Sequence, residues 1–248
     1  KHYEGSETEI EIPSEIDGHR VTFIGSGAFK GCTSLTSVTI PDSITEIYPF
    51  VLDECASLRT INVAANNMNY SSENGILFNK DKTLLIRYPQ KKDDKTYTIP
   101  DSVTEINSSA FSGCALIENV IIPDSTTFVE RDAFEECTSL ISVVIGNGVT
   151  YLGDYAFDGC SSLESVTIGS GIEAFGYDPF AGCNSIKTAK IDSNAAFSLF
   201  CGFDSLENVI IGENVTAIGD GGLFGCKSLK RVYIPDTVTT IGEHAFGY

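Results

Sequence analysis

The sequence predicts an α/β repeat solenoid, right-handed, with a parallel β-sheet along one face. Three observations carry this reading: self-similarity at a spacing of 23 residues, apolar columns at fixed places in every copy, and a Pro or Gly closing each β-branched run. One such unit cannot bury its own apolar face. Stacked copies can, because each column then becomes a ladder through one continuous core.

The copies, about nine in number, follow in order. Residues 1–20 fit the repeat poorly, and Ile10, Ile12, Pro13 and Ile16 suggest one degenerate strand that caps the first unit. A cap is expected, since an open sheet edge invites pairing with other chains. Val21, Ile44, Val103, Val149, Ile172, Val215 and Val238 open units, and Thr126 and Asp192 open two weaker ones. A second apolar position follows each opener, as in Ile24, Ile106, Leu152 and Ile241. Then comes an aromatic column of Phe29, Phe111, Phe134, Phe157, Phe180, Phe200 and Phe246, with Leu52 and Leu223 as substitutes. A leucine column (Leu35, Leu58, Leu140, Leu163) precedes two β-branched positions such as Val38 and Ile40, whose alternation is that of a strand. The compact stretch G-x-x-A-F-x-G-C reads as one or two helical turns on the opposite side.

Two places break the period. Residues 67–102 form a unit of 36 residues. Its apolar runs Ile76–Phe78 and Leu84–Tyr88 flank the polar turn Asn79-Lys80-Asp81-Lys82, which predicts a hairpin projecting from the stack. Lys80, Lys82, Arg87, Lys91, Lys92 and Lys95 make this the densest positive cluster, and a candidate contact site. The unit opened by Ile172 is three residues short, and Asp192 then sits where an apolar residue is expected, which predicts a local kink or bulge in the stack. The C-terminal copy stops half-way, at Ala245–Tyr248, within what reads as a single repeat domain over 1–248.

The string I-G-x-x-A-F-x-G-C-x-S-L-x-S-V-x-I-P resembles the leucine-rich repeat of BspA-like, or treponemal-type, bacterial surface proteins, over about residues 21–248. The resemblance implies a secreted or cell-surface protein of a host-associated bacterium. It also implies adhesion to a host extracellular or surface protein, with a glycan as the other ligand class. The chain begins at Lys1 with no apolar leader, so a secretory signal would lie outside this stretch.

The 34 acidic against 16 basic residues give a net charge of −18, which disfavours nucleic acid and anionic membranes. No apolar run is long enough to span a bilayer. Seven of the eight cysteines share one slot of the unit, with no C-x-x-C pair, so they read as a ladder of buried thiols and not as a metal site. His2, His19 and His244 lie at the ends and fit no triad, and no nucleotide or calcium motif occurs. Asp42, Asp101, Asp124 and Asp236 fall in P-D-S or P-D-T turns. The expectation is therefore a binding surface without catalysis, metal or cofactor, and the competing expectation is a structural stalk. The outward column of the sheet offers Ile121, Val144, Lys190, Ile210 and Tyr233, beside Arg231 in the second outward column. These six are the candidate binding face.

Overall fold

A computed structural model describes residues 7–247. The first six residues of the cap-like segment, His2 among them, and Tyr248 lie outside the described residues.

Each unit contributes one strand to a broad parallel sheet. Asn119–Ile122, Ser142–Ile145, Ser165–Ile168, Thr188–Ile191 and Asn208–Ile211 stack in order between Thr96–Thr98 and Arg231–Tyr233, as seven strands. Glu9–Glu11, Ser37–Ile40 and Thr60–Val63 form a second, three-stranded part. Register is fixed by the pleat: Val120, Val143, Val166, Ala189, Val209 and Val232 align rung on rung and face inward. Ile10 aligns with Val38 in the same way at the N-terminal edge.

The predicted helical turns are absent. The stretch G-x-x-A-F-x-G-C is a run of tight turns, because two of its residues, four apart, take left-handed backbone in copy after copy. In the first copy these are Gly27 and Gly31 (φ 61° and 73°), and later ones place Ser109, Asp132, Glu136 and Tyr155 there. Left-handed residues interrupt a right-handed helix. The amides bond across the stack instead: Phe111 N–H to Ala133 O (2.7 Å), Phe134 to Ala156 (2.7 Å), Phe157 to Pro179 (2.7 Å). The one described helix is a 3-10 helix, Asn194–Phe200, capped by the Ser193 hydroxyl, which accepts from the Ala195 amide.

A narrower parallel strip of two-residue strands runs beside the broad sheet, through Glu105–Ile106, Phe128–Val129, Tyr151–Leu152 and Ala174–Phe175. The long unit joins this strip and does not project from it. Leu84–Arg87 pairs parallel with Glu105–Ile106, and Ile76–Asn79 and Tyr70–Glu73 follow antiparallel. Ile76, Leu77 and Phe78 are each buried. Ile76 and Phe78 join the larger core while Leu77 joins the smaller N-terminal one, so this strand is a wall between two cores. A strand apolar on both faces belongs inside, which is why it cannot project.

The short unit is also placed differently. Ala189 pairs with both Val166 and Val209, so the broad sheet runs on unbroken. The missing residues come out of the narrow strip, which ends at Ala174–Phe175 and resumes at Ala217–Ile218, with the 3-10 helix between. Asp192 is not in the buried opening slot. Its amide bonds Ile168 O and its carboxylate accepts from the amide and side chain of Asn214. Ser193 lies buried there instead and donates to Ile172 O (2.7 Å), as Thr126 donates to Val103 O (3.0 Å). A hydroxyl with an acceptor can be buried cheaply and an unpaired carboxylate cannot.

The aromatic column is a continuous stack. Rings of Tyr88, Phe111, Phe134, Phe157, Phe180 and Phe200 follow one another at 4.6–5.8 Å, within 22° of parallel. Tyr88 supplies the ring of the long unit, a role the sequence pattern did not reveal. Beneath the rings the thiols of Cys55, Cys137, Cys160, Cys183 and Cys226 each donate to the carbonyl of the aromatic residue 26 positions earlier, at 3.1–3.2 Å. All eight cysteines are free thiols, and Cys201 is the exposed one.

Candidate binding surface

Period-two alternation on the broad sheet sends every second side chain outward. Ile121, Val144, Thr167, Lys190, Ile210 and Tyr233 are consecutive partners in one outward column. Ile121 and Val144 are 39% and 38% exposed, and Ile210 and Tyr233 are 44% and 61% exposed. Each pair sits on adjacent rungs, and Lys190 lies exposed between Thr167 and Ile210. Arg231 is exposed in the neighbouring column, opposite Asn208. The structure thus brings all six predicted face residues onto one surface of the seven-stranded sheet.

The rim of this face is charged in cross-rung pairs. Lys95 meets Glu118 (2.7 Å), Lys187 meets Glu164 (2.8 Å) and Lys230 meets Glu207 (2.9 Å). These pairs are exposed and add little stability.

The Lys-rich cluster is not one free patch. Arg87 is 5% exposed and lies inside the fold, so it is corrected from a contact residue to a structural one. Its guanidinium pairs with Asp53 (3.0 Å) and donates to the carbonyls of Leu52, Ser109 and Ser112. A guanidinium surrounded by carbonyls and one carboxylate can be buried where a lone charge cannot. Burial raises the Asp53 carboxyl above its ordinary range, and Arg87 opposes that rise. Lys80 bonds Asn67 O, Lys82 pairs with Glu73, Lys92 with Asp94 (3.2 Å) and Lys95 with Glu118. Lys91 is exposed.

Sequence reasoning missed the Asp53–Arg87 pair and a set of exposed and half-buried rings beside the narrow strip. Tyr155 and Tyr177 meet edge-on at 5.5 Å, and Phe128 is paired with Tyr151 across rungs. Tyr48 and Phe50 were visible in the sequence as a departure, since Y-P-F-V-L at 48–52 stands where other copies read G-x-x-A-F. Among the described residues, no three His, Cys, Asp or Glu side chains converge as a metal ion would need. Nor is any described helix long and apolar enough to cross a membrane.

A stacked parallel solenoid with a rigid, side-chain-variable face is the architecture of a leucine-rich repeat scaffold. The sequence model of the BspA type leucine rich repeat region matches residues 2–85, 90–198 and 196–248 in six copies, and the chain belongs to that family. No curated protein matches it. Among solved structures it resembles a leucine-rich repeat protein of Eubacterium ventriosum (26% identity, TM-score 0.77, 96% of this chain and 64% of that one). It also resembles a leucine-rich cell surface protein of Faecalibacterium prausnitzii (26% identity, TM-score 0.62, 95% and 59%). The pneumococcal vaccine antigen PcpA shares the fold at 21% identity (TM-score 0.59, 82% and 62%). The chain therefore spans less than two thirds of the length of these relatives.

Proposed function

We propose that this chain is a non-catalytic, surface-displayed or secreted adhesion module that binds a host extracellular or surface protein through the broad sheet. The observation that carries the reading is the outward column in which Ile121–Val144 and Ile210–Tyr233 present adjacent apolar rungs. Exposed apolar and aromatic groups clustered on a rigid frame are what interface anchors require. The Faecalibacterium relative is described as a cell surface protein, which supports display at the surface.

The test is direct binding of the purified chain to a panel of matrix proteins and glycans, at low and physiological salt. The double variant Ile210→Ser with Tyr233→Ser runs beside it. Saturable protein binding that this variant loses, with its thermal unfolding unchanged, supports the reading. Binding kept by the variant but abolished by salt moves the contact to Lys91 and its neighbours. No binding by the wild-type chain overturns the proposal in favour of a stalk.

A further inference from the structure

The N-terminal part of the solenoid holds a cleft of about 530 Å³ that the sheet-face reading does not use. It opens where the stack is least regular. The narrow strip is interrupted there: Phe23–Ile24 and Glu46–Ile47 form a separate pair, and the strip resumes with Tyr70–Glu73 of the long unit. The Ile47 amide, at this gap, donates to the Tyr70 hydroxyl (2.9 Å) and not to a strand carbonyl.

The cause is in the sequence of one copy. Its aromatic position is Leu52, so the ring stack, which runs from Tyr88 to Phe200, stops short of this rung for want of a ring. Its Gly-x-x turn is replaced by Tyr48, Pro49 and Phe50, and Phe50 takes left-handed backbone (φ 61°), which is rare for a bulky residue. The result is a hollow walled by Ile24, Ile47, Leu52, Leu77, Leu84 and Ile86, with Tyr48 and Phe50 exposed at its mouth. Unoccupied, such a hollow forfeits packing contacts on every wall. Its volume is in the range that takes a drug-sized molecule.

The polar end of the cleft selects among ligands. Asp53 and Arg87 both line it and neutralise one another. Asp53 uses Oδ1 for Arg87, which leaves Oδ2 as an acceptor, and its side chain is 13% exposed. An anionic head would face this carboxylate, and a neutral N–H or O–H donor would be received by it. Arg131, also in the lining, is largely exposed and pairs through Nε with the Asp132 carboxylate (3.0 Å).

We propose that this cleft is a small-molecule site for an uncharged aromatic compound carrying one hydrogen-bond donor, of the phenol, indole or arylamine class, with the donor toward Asp53. The site shares no residue with the outward face of the seven-stranded sheet and does not depend on the adhesion reading.

The test uses two fluorescent probes with one aromatic frame: neutral N-phenyl-1-naphthylamine and the anionic anilinonaphthalene sulfonate. The expected result is saturable binding of the neutral probe, one per chain, with the sulfonate weaker by at least about tenfold. Leu52→Phe restores the missing ring and Ile86→Trp fills the hollow from the other wall. Each is expected to weaken the neutral probe by at least about tenfold while far-UV circular dichroism stays unchanged. Hydrogen exchange on the wild-type chain supplies a readout independent of the variants, with the probe slowing amides of residues 45–53 and 84–87. Absence of saturable binding, tighter binding of the sulfonate, full affinity in a folded filled variant, or protection confined elsewhere would each overturn the proposal.

Discussion

The buried thiol ladder makes a pH-dependent stability that one substitution can isolate. Cys114 is buried in the larger core, and loss of water around it raises its thiol from 9.0 to about 12. Cys55, in the smaller core, is raised to about 11 by the same cause. Cys137, Cys160, Cys183 and Cys226 move in the same direction. In the unfolded chain such thiols lose their protons near pH 9, whereas the folded chain keeps them to a higher pH. The folded state thus binds more protons, and stability falls as pH rises through this window. Below the unfolded value the stability is fully present. Each thiol removes about 1.4 kcal/mol per pH unit between its unfolded and folded values. From pH 9 to 10.5 Cys114 alone accounts for about 2 kcal/mol. Cys114→Ala gives up packing and the bond to Tyr88 O (3.7 Å), a loss of about 1–2 kcal/mol at pH 8. It also removes the titration, so the two proteins should converge in stability by pH 10.5. The assay is urea unfolding followed by far-UV circular dichroism at pH 8, 9, 10 and 10.5, with reductant present. Parallel pH profiles for the two proteins, or a wild-type stability that rises over this range, would refute the argument.

Other substitutions test the packing. Arg87→Ala leaves Asp53 without its cation at a buried site and should cost about 3–5 kcal/mol, whereas Lys187→Ala breaks an exposed pair with Glu164 and should cost less than about 1 kcal/mol; denaturant midpoints distinguish the two. Phe134→Ala removes a ring stacked between Phe111 (4.6 Å) and Phe157 (4.8 Å) and should lower stability by about 3–5 kcal/mol, read in the same assay. A Cβ at Gly148 would lie 1.8 Å from Asp124 O, so Gly148→Ala should destabilise by about 1–3 kcal/mol or more. Gly219→Ala meets nothing within 4 Å and should be within about 0.5 kcal/mol of wild type. Equal melting temperatures for the two glycine variants would contradict the close rung-on-rung approach.

The solenoid was legible in the sequence because a repeat states its own contacts. Val166 aligns with Val143 and Ala189 since each occupies the same position of its copy, and copies can bury their faces only by stacking in register. The outward column followed from the same alternation, so Ile121, Val144, Ile210 and Tyr233 could be placed before any coordinates. The sequence also showed where the period fails, at 67–102 and around 192, without saying what fills each failure.

Only the tertiary structure decided that. Ile76–Asn79 reads as half of a projecting hairpin until the two cores it separates are seen, because burial on both faces depends on what packs there and not on the strand itself. The helical turns expected beside each Phe are displaced by left-handed residues whose amides find carbonyls on the next rung, a partner that no single copy contains. Arg87 reads as surface charge in the sequence and is buried, since the carbonyls and carboxylate that its two terminal nitrogens bond come from residues 52, 53, 109 and 112. Periodicity fixes what repeats along a stack, while the environment of a residue that breaks the period is set by its neighbours in space.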